Sequence, residues 1–193
     1  PKPSEGLMYD VGFTEYQIRP ATKYCIRKAY VDTADTGADY LCAIVYDETE
    51  IGNYLVDVLY TQKPMEYTEP ELARILTKHG VQECIVESNN GGRGFQRAVE
   101  QQCRLMGNTK TKFKWFHQKD NKEVRININS AAVQNLTFMP FGWVKLFPEF
   151  ASAITSYMKI GKNLHDDAPD ALTGTIEKRK NKVKSDVAGL FGR

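Results

Sequence analysis

Three acidic clusters stand far apart in the chain, each where a buried element should end. Asp32 closes a run through Tyr30 and Val31 and opens the segment Thr33-Ala34-Asp35-Thr36-Gly37. Glu87 closes the apolar run Cys84-Ile85-Val86, and His165-Asp166-Asp167-Ala168-Pro169-Asp170 opens a helical segment. One carboxylate from each place, gathered by folding, makes a site for Mg²⁺ or Mn²⁺, hard cations that take oxygen ligands. Two such ions about 3.5–4 Å apart activate water and stabilise the leaving oxygen in phosphodiester cleavage. The chemistry these residues point to is metal-dependent hydrolysis of a nucleic-acid backbone.

Each residue also has a plainer reading. A carboxylate at a strand end projects from rigid backbone into a cleft, as a metal ligand must; Asp32 equally suits a turn. Asp35 and Asp39 share that segment and read as turn formers, with a water-mediated role open to either. Glu87 ends an apolar strand at a cost unless it finds a partner, or it is an exposed strand terminus. Asn89-Asn90-Gly91-Gly92 lets backbone approach a ligand closely, but the chain holds no phosphate-binding Gly-x-x-x-x-Gly-Lys-Ser/Thr loop. Asp167 and Asp170 stand three apart on one helix face. Capping of a helix start by acids competes there, yet it does not call for His165 as well. His165 is open to roles as ligand, proton shuttle or partner of a ligand. Lys162 reads as loop, within reach of phosphate. His79 and His117 read as a helix-end and a surface residue.

The elements that position these acids follow from pattern. Residues 1–20, with three prolines and two glycines in that stretch, read as a lead-in or linker, and the absence of an initiating Met suggests a piece of something larger. Tyr24–Asp32, Tyr40–Tyr46 and Tyr54–Tyr60 read as strands, and the short breaks between them imply an antiparallel meander. Thr68-Glu69-Pro70-Glu71 opens a helix running to His79, with Gly80 as its stop. Glu83–Glu87 is a short buried strand, about 94–106 a helix, and Lys112–His117 a fifth strand. A helix follows from Lys122 to about Asn135, its apolar face marked by Val124, Ile128 and Ala131 or Ala132. Leu136–Leu146 reads as a short hairpin. Pro148–Ile160 and Asp167–Lys180 are the last helices, and residues 183–193 a frayed tail. The result is an α/β domain over residues 21–182, a mixed five-stranded sheet with helices on both faces.

Composition permits this and excludes other classes. The 193 residues, 41% hydrophobic and 26% charged, suit one soluble domain. No apolar run approaches the roughly 20 residues that span a bilayer, so no membrane partner is expected. Cys25, Cys42, Cys84 and Cys103 form no Cys-x-x-Cys pair and read as reduced core residues. A net charge of +2 does not announce a polyanion, but its distribution does. Basic residues from Lys110 to Arg125 interleave with Phe113, Trp115 and Phe116, and Lys178, Arg179, Lys180, Lys182 and Lys184 follow near the end. An acidic centre between basic flanks suits cleavage of a polyanion, although either basic run alone also reads as a solvated face.

An Asp ending strand one, a Glu ending strand four and His-Asp-Asp-Ala-Pro-Asp-Ala-Leu opening the last helix resemble the ribonuclease H-like fold. Over about residues 20–180 the chain is similar to the C-terminal nuclease domain of the large terminase subunit of tailed bacteriophages. The resemblance implies that Asp32, Glu87 and Asp167 are catalytic and bind two Mg²⁺ or Mn²⁺ ions, Asp32 bridging both. Asp166 and Asp170 join as candidate ligands, because relatives differ over which acid of the last helix is used. It implies cutting of concatemeric double-stranded viral DNA during packaging in the cytoplasm of a bacterial host. An N-terminal ATPase domain of the same polypeptide, a portal and a small terminase subunit are the implied partners. Arg93, Lys119, Lys122 and Arg125 are candidates to hold the DNA backbone. The rivals are a Holliday-junction-resolvase-like nuclease preferring branched DNA and a catalytically inactive DNA-binding or assembly module. A sugar-kinase or actin-like ATPase would need a two-lobed cleft that one domain of this length cannot build.

Overall fold

The computed structural model describes residues 6–33, 39–87 and 92–179. In chain order the elements are β1 (Thr14–Tyr16), β2 (Cys25–Asp32), β3 (Leu41–Thr49), β4 (Asn53–Thr61), α1 (Met65–Lys78), β5 (Glu83–Glu87), α2 (Gly92–Leu105), β6 (Lys112–Phe116), α3 (Lys122–Leu136), β7 (Thr137–Pro140), α4 (Trp143–Leu146), α5 (Pro148–Thr155) and α6 (Asp167–Glu177).

The strands form one sheet in the order β1-β7-β4-β3-β2-β5-β6. The expected antiparallel meander is β2-β3-β4, and β5 and β6 extend it in parallel from β2. The sheet has seven strands rather than five because two short ones were hidden in irregular sequence. Residues 137–140, expected in a hairpin, form β7 parallel to β4 and β1. Gly142, with φ of 74°, then caps α4, so the Pro140–Gly142 signal marks a strand-to-helix turn. The expected lead-in contributes Met8 and Tyr9 to the core and β1 to the sheet.

Alternation along β2 assigns its side chains to two different faces. Ala29 and Val31, with Ala43, Val45, Cys84 and Val86, pack against Leu72, Ala73 and Leu76 of α1 and Phe95, Val99 and Cys103 of α2. The centre of that face is apolar, and the Arg27–Asp47 pair at 2.8 Å and the His79–Asp57 pair at 2.6 Å lie on it further out. The opposite face receives Tyr30, Ile44, Tyr46, Leu55 and Ile85, covered by Ile126 and Val133 of α3, Phe150 and Ile154 of α5 and Ala171, Leu172 and Ile176 of α6. It also buries charge. Lys28 is fully buried between Glu48 (2.6 Å) and Glu83 (3.6 Å). Lys114 reaches Glu83 from the edge strand at 2.6 Å, and the Tyr24 hydroxyl donates to Glu48 at 2.8 Å.

Some boundaries moved. α1 starts at Met65, ahead of Thr68, which lies buried within the helix. The helices expected to reach Ile160 and Lys180 end at Thr155 and Glu177. Three cysteines are buried as expected, but Cys25 is exposed at the start of β2. Among the described residues no helix is long and apolar enough to cross a membrane. The tail at 183–193, with Lys180, Lys182 and Lys184, lies outside the described residues.

Candidate metal centre

The acids meet where β2 and β5 end. These neighbours run parallel, and Asp32 stands directly across from Glu87 in their register. Cross-strand partners in a parallel pair share a face, so both carboxylates emerge at one end of the sheet on its charged side. α6 crosses that face with its first turn above them, which brings Asp167 and Asp170 in from a third element. Asp32, Glu87, Asp167 and Asp170 are all buried, at 3%, 1%, 7% and 0% exposure.

One ammonium marks the focus of the cluster. Lys122 Nζ, from the first turn of α3, lies 3.1 Å from Asp32, 3.4 Å from Asp167, 3.6 Å from Asp170 and 3.9 Å from Asp166. Arg125, one turn along, sets Nη1 2.9 Å from Asp170 and 3.8 Å from Glu87, and Nη2 2.7 Å from Glu177. Asn121 caps α3 by accepting from the Val124 amide at 3.2 Å, which fixes where Lys122 leaves the helix. Asp167 also accepts from the Tyr40 amide at 3.2 Å. Among the described residues both Asp170 carboxylate oxygens are buried without a hydrogen-bond partner, so its ion contacts carry the balance of charge.

The electrostatics follow from that crowding. Burial pushes Asp32 well above the ordinary aspartate range; Lys122 opposes this, and Glu87 and Asp170 add to it. Burial raises Asp170 to about 7, against the pull of Arg125 and Lys122. Asp166 is raised as well, mainly by burial. Burial alone would lower Lys122, but Asp32, Asp170, Asp167 and Asp166 together hold it above its usual value.

These contacts suit divalent ions in kind but not yet in spacing. Among the described residues no three His, Cys, Asp or Glu side chains stand at ligating distance for a metal. The reason is visible in the contacts: three carboxylates are arranged around an ammonium at 3.1–3.6 Å. Mg²⁺ and Ca²⁺ hold oxygens at about 2.0–2.6 Å. A set of buried oxygens converges on one cation, and the Asp170 oxygens are held there by ion contacts to Arg125 and Lys122. In kind, such carboxylate oxygens are the donors that hard divalent ions take.

The remaining expected site residues fall in different places. Asp166 stands at the margin, 38% exposed at its side chain. His165 packs its ring edge-on to Tyr40 at 4.9 Å, among aromatic side chains. Lys122 and Arg125, expected to hold DNA, point inward. Arg125 is buried because Asp170 and Glu177 supply its counter-charges, and α3 is turned accordingly: Val124 and Ile128 are 52% and 76% exposed. Arg93 is exposed and stacks its guanidinium on Trp115 at 3.9 Å. Lys119 is exposed in the loop before α3. Asp39 is half-buried; Asp35 and the 88–91 turn lie outside the described residues.

Pattern reading missed Tyr30. Its buried hydroxyl donates to Glu87 Oε2 at 2.5 Å. The signal was available, since Tyr30 sits two residues before Asp32 and so shares its face.

The chain matches the model of the family described as Terminase Bacteriophage T7, Ribonuclease H-like domain over residues 31–135. No curated protein matches it by sequence. Among solved structures it is similar to the human cytomegalovirus terminase nuclease domain soaked with Mn, at a TM-score of 0.57 and 12% identity, covering 86% of this chain and 90% of that one. The large terminase of a thermophilic bacteriophage aligns at a TM-score of 0.59 and 16% identity, over 89% of this chain but 45% of that one. The nuclease domain of the large terminase of bacteriophage SPP1, with bound Mn, aligns at a TM-score of 0.52 and 14% identity, over 80% and 84%. At these identities the likeness establishes the fold, a ribonuclease H-like mixed sheet.

Proposed function

The chain belongs to the terminase ribonuclease H-like domain family, and on that premise we propose that it is a divalent-metal-dependent endodeoxyribonuclease centred on Asp32, Glu87, Asp167 and Asp170. The observation that carries this reading is the charge imbalance. Among the described residues, four buried carboxylates from β2, β5 and α6 face two cations, Lys122 and Arg125. Buried charge without full compensation is costly, and divalent oxygen-ligated cations correct that imbalance. When bound, two Mg²⁺ or Mn²⁺ ions supply activation of water and stabilisation of the leaving 3′ oxygen.

The chain's own residues do the rest. Asp32 and Glu87 are held on rigid strand ends, and Asp167 and Asp170 on the first turn of α6. Asp166, more exposed, is an auxiliary ligand. Lys122 neutralises the cluster until metal enters. With metal bound, Lys122 would remain beside the centre, where an ammonium can neutralise a phosphate oxygen. Double-stranded DNA would approach from the β6 side. Phe116, paired with Glu87 in the sheet register, opens a cleft of about 820 Å³ lined also by His117, Gln118, Lys119, Asn129 and Lys178. Arg93 and Lys119 offer cations to the backbone along that edge, contacts that position without reading sequence.

Within this reading the domain cuts concatemeric DNA during genome packaging in a bacterial cytoplasm. It works with an ATPase domain of the same polypeptide, a portal and a small terminase subunit. The test is incubation with supercoiled plasmid in Mn²⁺, Mg²⁺ or EDTA, beside Asp32→Ala. Metal-dependent nicking and linearisation that the variant lacks supports the nuclease. Intact plasmid in every lane contradicts it. A strong preference for branched over linear DNA would favour the resolvase-like activity.

A further inference from the structure

Glu87 is held by a tyrosine that only a glycine permits. Tyr30 is fully buried between the sheet and α6, and its hydroxyl donates to Glu87 Oε2 at 2.5 Å. The ring passes directly beneath Gly174. A Cβ built at that position would overlap Tyr30 Cζ and Oη. Gly174 lies within α6, where glycine costs about 1 kcal/mol relative to alanine. Here that cost opens the space through which the hydroxyl reaches the carboxylate. Arg125 Nη1, 3.8 Å from the same Glu87 oxygen, is too far for a hydrogen bond. Thr33 fixes the backbone instead, donating from its hydroxyl to the Glu87 carbonyl at 3.1 Å.

We propose that Tyr30 is a positioning residue of the metal centre, setting the rotation of the Glu87 carboxylate through its hydroxyl, and that Gly174 is required to admit it. The inference rests on the metal-centre reading. A short O–H···O⁻ bond to a ligating carboxylate fixes its orientation and leaves fewer arrangements to be lost when metal binds. Removing such a partner weakens metal binding by about 10- to 100-fold. Tyr30→Phe keeps the ring and its packing and deletes only the hydroxyl. Gly174→Ala keeps the hydroxyl and displaces it.

The experiment is calorimetric titration of MnCl₂ into the wild-type chain, Tyr30→Phe, Gly174→Ala and Glu87→Ala, with melting of each in EDTA and cleavage measured across Mn²⁺ concentration. Tyr30→Phe is expected to bind Mn²⁺ about 10- to 100-fold more weakly. Its apparent Mn²⁺ KM should rise while kcat at saturating Mn²⁺ changes by a few-fold. Gly174→Ala should show the same loss, so either variant decides the question if the other fails to fold. A merely structural tyrosine would lower the melting temperature and leave Mn²⁺ affinity alone. Wild-type affinity or tighter in a folded Tyr30→Phe or Gly174→Ala overturns the inference and leaves the metal centre standing. Absence of Mn²⁺ binding by the wild type, unchanged in Glu87→Ala, instead sinks the metal-centre reading itself.

Discussion

Two buried ion clusters share one face of this sheet, and they differ in arithmetic. At the Lys28 cluster two carboxylates, Glu48 and Glu83, meet two ammoniums, Lys28 and Lys114. At the strand ends four carboxylates meet Lys122 and Arg125, with Asp166 and Glu177 at the margin. The balanced cluster has its counter-charges in place and needs nothing more from solution. The unbalanced one leaves both Asp170 oxygens without a hydrogen bond among the described residues and holds Asp32 well above its ordinary range. Burial of acids alone does not distinguish the two clusters; the balance of charge does.

The largest effects should separate the clusters in opposite directions. Glu48→Ala removes the nearer of the two carboxylates beside fully buried Lys28, and breaking a buried pair costs about 3–5 kcal/mol. It should depress the urea midpoint strongly while a folded fraction still binds Mn²⁺. Asp32→Ala should abolish cleavage, by roughly 10³-fold or more, as expected for loss of a central catalytic group, while leaving the metal-free protein as stable as the wild type or more so. Loss of Mn²⁺ binding in folded Glu48→Ala would break the distinction.

Lys122→Ala is the next test. Removing the resident cation increases repulsion among the acids and removes the competitor for metal. Melting in EDTA should fall, while Mn²⁺ affinity should rise by about tenfold, some 1.4 kcal/mol. Weaker Mn²⁺ binding would mean that Lys122 helps to build the site.

The pH dependence sharpens the same point. Asp170 is raised to about 7 from an ordinary aspartate value of 3.8, and a raised carboxyl binds more protons folded than unfolded. Its contribution to stability is present below about pH 4 and lost as pH rises through about 7. Metal-free melting temperature should therefore fall between about pH 4 and 7 and level off above that, and Asp170→Asn should flatten that slope. An unchanged slope in the variant would remove Asp170 as its source.

The smallest effect is expected at the periphery. Arg93→Ala or Lys119→Ala should raise KM for DNA a few-fold and reduce the salt dependence of binding by about one phosphate contact. Identical salt slopes would take either residue off the DNA path.

How legible this was depended on what each residue had to satisfy. Asp32 and Glu87 could be read because a carboxylate closing an apolar strand conflicts with its surroundings and the conflict shows in sequence. The acids of α6 were legible as a group, but their depth was not. Asp170 is fully buried and Asp166 is not, and only packing of α6 on the sheet decides that. The apolar positions Val124 and Ile128 of α3 face solvent while Arg125 is buried. Arg125 faces inward toward Asp170 and Glu177 on α6, with β7, α4 and α5 between them and α3 in the chain, which no local pattern reveals. Lys28 was missed on the expectation that a lysine faces water, though its place two residues before Tyr30 and four before Asp32 put it on the inward face. β1 and β7 were hidden because strands of three and four residues carry too few alternations to register a period.

Metal should enter the unbalanced cluster and not the balanced one. Anomalous scattering from crystals soaked in Mn²⁺ tests it directly. Two peaks about 3.5–4 Å apart are expected among Asp32, Glu87, Asp167 and Asp170, with Lys122 withdrawn from them, and none beside Glu48 or Glu83. No peak at the strand ends, with Lys122 Nζ still in contact with Asp32 and Asp167, would contradict it.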